Sequence, residues 1–330
     1  MRKASLLYNP VSGGGRSRRQ AELDAALASL RGAGVQAELL LLRSPLDAAE
    51  QARQVIASGS DTIFACGGDG TIHDILQGLA GTQAALALLP MGTANALAHD
   101  LGVPLNPVAA ARASLQATQK RVALGHIEYL DLDGKPATRY FTIAAGIGVD
   151  AHLFYKLTPT VKRRLGMAAY YIKAWHLWMT YRMARFQAQY LETGSSESRS
   201  ATVTELLAVR IRNFGGVLRE LAPGASLDRN DMRLVLCRTG SRTPYVLYVF
   251  RGLFGRRASM SGIDLVHSGK VSCQYLPLTA AEGTPEKQPV VYVEADGELL
   301  GTLPAEISVV PDALTLLVPT NSAIANRRHT

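Results

Sequence analysis

A short glycine-rich stretch, Gly67-Gly68-Asp69-Gly70-Thr71, has the composition of a turn that binds phosphate. It follows the apolar run Ile63 to Cys66 and precedes a helical pattern. Glycines let a ligand approach the backbone closely, and the first turn of a helix offers unpaired N–H donors and a positive dipole end to an anion. The pattern therefore predicts a phosphate cradle. The alternative is a tight strand-to-helix turn in which Asp69 only caps the helix.

Two further turns of the same kind follow other apolar runs. One contains Asn9, Pro10, Ser12 and Gly13, and the other contains Gly92, Thr93 and Asn95. Three such turns at the ends of successive strands are hard to obtain by chance, so they favour nucleotide phosphates over a purely structural role. A P-loop is excluded, because no Gly-Lys pair of the chain is followed by serine or threonine.

The elements that must position these turns alternate along the first third of the chain. Each of four strand-like apolar runs is followed by a helical pattern. In the second of these helices, Ser44 is expected as N-cap and Pro45 as the first residue. The alternation predicts a doubly wound α/β domain with a mostly parallel sheet, in which ligands bind at the carboxyl ends of the strands. The three turns fall at those ends.

From about Gly125 onward the pattern changes to apolar strands joined by turns that contain glycine or proline. It predicts a second, β-rich and mostly antiparallel domain. We therefore expect two domains, 1–124 and 125–330, with the C-terminal tail able to pack back on the first. One long helical segment, about Val161 to Gln189, interrupts the second domain. An isolated G-x-G-x-x-A match, Gly146 to Ala151, is interpreted as a turn.

The composition indicates a globular protein with an anionic partner. Lys and Arg number 35 against 27 Asp and Glu, a net charge of +8, which favours nucleotide phosphates, an acidic membrane surface or nucleic acid. Nucleic acid is the weakest of these, because the basic residues are not interleaved with a base-stacking motif. Three scattered cysteines, no secretory signal and no apolar run of membrane-spanning length predict a cytoplasmic protein without a transmembrane span.

Taken in order, the motifs resemble the diacylglycerol kinase catalytic-domain family, which also includes sphingosine and ceramide kinases. The resemblance begins with the three turns and continues through AAGIGVDA, VRIRNFGG, LAPGASLD and EADGE, so it covers nearly the whole chain. It implies a nucleotide-binding α/β domain, a β-rich lipid-binding domain, and ATP in the cleft between them. The implied activity is transfer of the γ-phosphate to a hydroxyl of diacylglycerol or a related lipid alcohol.

The resemblance also implies roles for three carboxylates. Asp296 and Glu298 of the late Asp-Gly-Glu would lie at the transfer centre, where one of them accepts the proton of the attacking hydroxyl. Asp69 would position Mg²⁺ or its waters beside the ATP phosphates, which the three turns would contact. The alternative for residues 296–298 is an ordinary hairpin turn, since Asp-Gly is a common turn pair.

A metal loop in the second domain is a further implication, with Asp228 and Asp231 as its carboxylates. The sequence departs from the family pattern at one position just after the third turn and at one position in this metal loop. Ala96 stands where many bacterial members have aspartate, and Arg229 reverses the charge of an acidic position of the metal loop. The ATP·Mg²⁺ site at Asp69 is less affected by these departures.

The segment Ala151 to Leu191 contains seven Lys or Arg, no acidic residue and both tryptophans, Trp175 and Trp178. This composition is typical of an interfacial helix, with aromatic rings at headgroup level and cations near lipid phosphates. It predicts peripheral association with a membrane that carries the lipid substrate. The alternative is a helix packed on the second domain with snorkelling basic side chains. A homodimer is compatible with the sequence.

Two other functions remain open at the level of the sequence. NAD kinases share the GGDGT turn, but they lack the Asn-Pro-x-Ser-Gly start and the late Asp-Gly-Glu that this chain has. A non-catalytic nucleotide- or lipid-responsive module would explain the departures at Ala96 and Arg229. The presence of Asp69, Asp296 and Glu298 argues against such a module.

Overall fold

The computed structural model describes residues 1–10, 16–149, 151, 183–215, 221–241, 243–244, 247–248, 260–277 and 289–320. Ser12 and Gly13 of the first predicted turn lie outside these ranges, as do residues 161–182 of the predicted helix.

Strands and helices alternate in the first part of the chain. They are β1 (Lys3–Tyr8), α1 (Arg16–Gly32), β2 (Gln36–Leu41), α2 (Ala48–Ala57), β3 (Thr62–Gly67), α3 (Asp69–Leu79), β4 (Ala85–Pro90), α4 (Ala96–Leu101) and α5 (Pro107–Leu115). The strands pair in parallel in the order β2-β1-β3-β4. β3 and β4 are buried along their whole length, as expected of a parallel sheet covered on both faces. The predicted α/β domain is confirmed.

One helix begins later than predicted. α2 starts at Ala48 with Asp47 as its N-cap, not at Pro45 after Ser44. Ser44 instead closes a turn: its carbonyl accepts from the N–H of Asp47 at 3.2 Å, and its hydroxyl donates to the Asp47 carboxylate at 2.8 Å. The prediction of Ser44 as the N-cap was wrong because a Ser-Pro pair favours a turn as readily as the start of a helix.

The rest of the chain is β-rich. Its strands are β5 (Thr118–Asp131), β6 (Pro136–Phe141), β7 (Ala144–Gly148), β8 (Phe186–Glu192), β9 (Ser198–Val203), β10 (Glu205–Val209), β11 (Met232–Cys237), β12 (Ile263–Tyr275), β13 (Tyr292–Ala295) and β14 (Glu298–Val318). Except for the parallel pairing of β14 with β4, these strands pair antiparallel. The predicted β-rich second part is confirmed.

Two local predictions in this part were wrong. Residues 186–189, taken as the end of a helix, belong to strand β8. Residues 144–148, in which the G-x-G-x-x-A match begins, form strand β7 between β13 and β10. In both cases, pairing with strands distant in sequence overrides the local pattern.

Strand β14 joins the two parts. It pairs antiparallel with β13 at its start and parallel with β4 near its end, where Thr315 lies opposite Ala85. Residues 313–318 pack into the apolar core of the first part, beside β4. A second apolar cluster, which includes Ile127, Phe141 and Ile307, lies between the strands of the second part. Because β14 belongs to both, the β13–β14 turn is held against the first part. The domain boundary at 124/125 stays a prediction.

Candidate active site

The predicted turns meet at the carboxyl ends of β1, β3 and β4. The Asn9 side-chain amide donates to Oγ1 of Thr71 at 3.2 Å. The backbone N–H of Met91 donates to the carbonyl of Gly67 at 2.8 Å. Pro10 follows Asn9, and Thr93 lies exposed after β4. Residues predicted from three separate motifs thus form one continuous surface.

The second and third turns touch through glycine backbone. A Cβ atom on Gly92 would lie 2.5 Å from Cα of Gly68, and one on Gly68 would lie 3.1 Å from Cα of Gly92. Asn95, in the left-handed conformation (φ 49°), fixes the third turn: its Oδ1 accepts from the N–H of Gly92 at 2.9 Å. Two turns without side chains at their contact leave backbone exposed to a ligand.

Asp69 begins α3 and reaches across to α4. Its Oδ1 accepts from the N–H of Leu97 at 3.4 Å. Burial raises the pKa of Asp69, hydrogen bonds from the backbone of residues 95–97 oppose the rise, and the nearby Asp296 adds to it. The carboxylate is therefore placed between the second and third turns, where a cation bound with phosphates would meet it.

Asp296 occupies the turn between β13 and β14 with a positive φ of 51°. Its Oδ1 accepts from the N–H of Ile143 at 2.8 Å and of Ala144 at 3.1 Å. Its Oδ2 accepts from the N–H of Thr142 at 3.0 Å and lies 3.4 Å from Nδ1 of His73. The Asp296 side chain is only 1% exposed, and both of its carboxylate oxygens accept hydrogen bonds from the protein backbone.

Glu298 lies two residues further on and opens toward solvent. A Cβ atom on Gly70 would lie 2.8 Å from its Oε1, so the carboxylate stands directly over the glycine-rich turn. Partial burial raises the pKa of Glu298, the nearby His73 opposes the rise, and Asp296 adds to it. Of the two carboxylates in the Asp-Gly-Glu, Glu298 is the exposed one and lies beside the glycine-rich turn.

One face of α3 holds the second part of the chain in place. Gly70, His73, Asp74 and Gln77 follow the spacing i, i+3, i+4, i+7 that places residues on one side of a helix. Gln77 donates to the carbonyl of Tyr140 at 2.8 Å and accepts from its N–H at 2.9 Å. The contacts of His73 with Asp296 and of Gly70 with Glu298 continue this face toward the phosphate turn.

Sequence reasoning missed His73 and Asp74. His73 is 2% exposed, and its buried Nε2 has no hydrogen-bond partner within the described part of the chain. Partial burial raises the pKa of Asp74 to about 6; the charges of His73 and Arg139 oppose the rise and that of Glu298 adds to it. Their helical spacing from Gly70 was the available signal, because it places both on the face that meets the second part.

The two carboxylates predicted for the second-domain metal loop pair with protein cations. Asp228 pairs with Lys120, and Asp231 pairs with Arg229 through two hydrogen bonds of 2.5 and 2.6 Å. Among the residues that the structure describes, no group of three or more His, Cys, Asp or Glu side chains could hold a metal ion. The structure thus brings Asp69, Asp296 and Glu298 near one another, and places Asp228 and Asp231 in a separate ionic cluster.

The fold and this site define a class of two-part proteins in which an α/β unit with a parallel sheet meets a β-rich unit. The family model of the diacylglycerol kinase catalytic domain matches residues 3–127. The model of the YegS C-terminal NAD kinase beta sandwich-like domain matches residues 143–318. The chain belongs to the diacylglycerol kinase catalytic-domain family, as its motifs predicted.

Curated relatives agree with this membership. A diacylglycerol kinase of Mycobacterium tuberculosis is 29% identical over 318 residues, which cover 96% of this chain and 95% of that protein. A diacylglycerol kinase of Bacillus subtilis is 25% identical over 325 residues, which cover 98% of each. The family makes this chain a phosphotransferase of the kinase type.

The fold is shared with kinases of two substrate classes. The crystal structure of a diacylglycerol kinase from Bacillus anthracis superposes with a TM-score of 0.65 at 18% identity, covering 97% of this chain and 98% of that one. Yeast NADH kinase complexed with NADH superposes with a TM-score of 0.51 at 11% identity, covering 100% of this chain and 89% of that one. At these identities the likeness concerns the fold alone. None of the described helices has the length and apolar character needed to cross a membrane.

Proposed function

We propose that the chain is an ATP-dependent lipid kinase that transfers the γ-phosphate of ATP to a hydroxyl of diacylglycerol or a related lipid alcohol. The observation that carries the proposal is the position of the Glu298 carboxylate over Gly70 of the phosphate turn. Relatives that cover nearly the whole chain and are named diacylglycerol kinase support the choice of substrate class.

The three turns would hold the ATP phosphates. The contact between Gly68 and Gly92 keeps side chains away from the surface that the phosphates would approach. Asp69 suits Mg²⁺, because this ion prefers carboxylate oxygens beside bound phosphates. When bound, Mg²⁺ would neutralise charge on the phosphate oxygens.

Glu298 is the residue we assign as general base. A base must offer an oxygen within reach of the acceptor hydroxyl, and Glu298 is exposed beside the turn. Its raised pKa makes it a better proton acceptor once ionised. The proton of the hydroxyl would pass to Glu298 while the hydroxyl oxygen attacks the γ-phosphorus. The bond from the γ-phosphorus to the β–γ bridging oxygen would break, so that ADP leaves. Asp296, whose oxygens are committed to backbone donors, would fix the turn that carries Glu298.

A kinase for NAD is the second candidate, because the fold is also that of yeast NADH kinase. The two are separated by incubating the purified chain with ³²P-labelled ATP and Mg²⁺ and with diacylglycerol, phosphatidylglycerol, sphingosine, monoacylglycerol or NAD in turn. Label in a lipid and none in NAD supports the proposal. Label in NAD alone contradicts it, and label in no acceptor favours the non-catalytic module.

We also infer that the enzyme works in the cytoplasm at a membrane surface, where its lipid acceptor resides. A net charge of +8 favours anionic lipid. Sedimentation with phosphatidylglycerol vesicles that weakens as salt rises is the expected result. Equal sedimentation with neutral vesicles would contradict a role for charge.

A further inference from the structure

The loop that precedes β11, residues 221–231, carries the two carboxylates predicted as ligands of a second metal ion. Asp228 forms an ion pair with Lys120 of β5, and the two side chains are 17% and 27% exposed. Such a partly buried ion pair leaves the carboxylate neutralised from within the protein. A divalent cation would have to displace the ammonium group to bind there.

Both carboxylate oxygens of Asp231 accept hydrogen bonds from other side chains of the protein. Arg229 donates to both of its oxygens, at 2.5 and 2.6 Å, and the Thr193 hydroxyl donates to Oδ2 at 2.9 Å. Nδ1 of His267 lies 3.3 Å from Oδ1. Burial alone would raise the pKa of Asp231, but hydrogen bonds from Arg229 and Thr193 and the charge of Arg229 outweigh it and lower the pKa. Both oxygens of the carboxylate are therefore already occupied by protein donors.

The backbone of the same loop is held by a second guanidinium. Arg210 of the VRIRNFGG motif is 0% exposed. It donates to the carbonyls of Arg229 at 2.9 Å, of Asp231, and of Ala123 at 2.9 Å. Burial lowers the pKa of Arg210 to about 10, so the group stays charged at neutral pH. Backbone carbonyls are common ligands of Ca²⁺ and Mg²⁺, and here they face a guanidinium instead.

We propose that Lys120, Arg210 and Arg229 take the place of a divalent cation in this loop. The second part of the chain then needs no metal for its stability, and the requirement of the protein for divalent cations comes with the nucleotide at Asp69. Oxygen donors that already satisfy three protein cations do not fit an ion that demands several free oxygen ligands. The inference concerns the loop alone and does not depend on the identity of the acceptor.

The test measures the thermal midpoint of unfolding without nucleotide, in EDTA and in 10 mM Mg²⁺ or Mn²⁺. A site filled at a hundredfold excess over its Kd would raise Tm by several degrees, about 3–5 °C. We expect no such rise in the wild type, and the same Tm decrease for Asp228→Asn in both media. Asp69→Asn is the control that removes any cation held near the phosphate turns. A metal-dependent rise that survives Asp69→Asn and is lost in Asp228→Asn would overturn the proposal.

A second variant tests the role of Arg229 directly. Arg229→Asp replaces the internal cation by a carboxylate beside Asp228 and Asp231, and Arg229→Gln removes the charge without adding a ligand. We expect the Tm of Arg229→Asp to lie below that of the wild type in EDTA and to rise part of the way back in Mg²⁺. The Tm of Arg229→Gln should lie below that of the wild type by the same amount in both media. Tm of Arg229→Gln equal to that of the wild type in EDTA would contradict a cation-replacing role. If Arg229→Asp does not fold even with Mg²⁺, the Asp228→Asn comparison still decides.

Discussion

Glu298 stands so close above Gly70 that a Cβ atom on the glycine would lie 2.8 Å from Oε1 of the carboxylate. The two residues are 228 positions apart in the sequence (298 less 70). They meet because one face of α3 packs on the β13–β14 turn and on strand β6. This contact brings a carboxylate of the second part to the glycine-rich turn of the first.

Because of this contact, we expect Gly70→Ala to lower turnover while the stability of the fold stays nearly unchanged. The added methyl group would meet the end of a flexible side chain, so Glu298 can move aside and the fold should survive with nearly unchanged Tm. A displacement of about 1 Å at the base costs on the order of 100-fold in turnover. Gly32→Ala, where a Cβ would meet nothing within 4 Å, is the matched control and should keep full turnover. Full turnover in both variants would contradict a role of Glu298 in the reaction.

Asp296→Asn should mainly affect stability. An amide nitrogen in place of Oδ1 or Oδ2 would face backbone N–H donors of residues 142–144, leaving at least one buried donor unsatisfied. The expected loss is about 1–3 kcal/mol in the free energy of unfolding. Glu298→Gln, at an exposed position, should leave Tm unchanged. Urea unfolding of both variants checks this, and a stable Asp296→Asn would contradict the anchoring role.

Asp74 predicts a dependence of stability on pH. Its pKa is raised to about 6 in the folded state, so its ionisation opposes folding as pH rises from about 4 through 6. Asp74→Asn should therefore gain stability over the wild type at pH 8 and gain least at pH 4. Partial exposure reduces the expected difference to about 1–2 kcal/mol. Chemical unfolding at the two pH values measures it, and a variant that gains equally at both would contradict the burial of this charge.

Gly92→Ala should damage nucleotide binding. Its methyl group would lie 2.5 Å from Cα of Gly68, so two stretches of backbone must separate. Overpacking of this kind costs about 1–3 kcal/mol, and a loss of that size weakens ATP binding by about 10- to 100-fold if the turns form the site. Titration of ATP·Mg²⁺ by calorimetry is the measurement. Unchanged ATP affinity in a folded variant would contradict the proposal that the contact between these turns belongs to the nucleotide site.

Local patterns predicted the position of the glycine-rich turns well; their role in phosphate binding stays a prediction. Glycines between an apolar strand and a helix are a short-range signal, and parallel strands necessarily bring their carboxyl ends to one edge. The late Asp-Gly-Glu had no such signal of its own, because Asp-Gly also occurs in ordinary hairpins. Its placement depends on β14, which pairs with β13 at one end and with β4 at the other.

Other features could not be predicted because they depend on contacts between distant residues. Asp296 is anchored by donors 152 to 154 residues earlier in the chain. The helical spacing from Gly70 indicates the face on which His73 lies, but nothing in the sequence indicates that its partner is Asp296. Arg229 was recognised as a reversed charge, but only the folded chain places it on Asp231.

The proposed activity depends above all on Glu298 as the proton acceptor for phosphate transfer to a lipid hydroxyl. The most direct measurement is single-turnover transfer from ³²P-labelled ATP·Mg²⁺ to diacylglycerol in vesicles, with wild type and Glu298→Gln at equal ATP occupancy. We expect labelled lipid with the wild type and a rate lower by about 10²–10⁴-fold in the variant, with ATP affinity nearly unchanged. A Glu298→Gln protein that transfers phosphate at the full wild-type rate would contradict it.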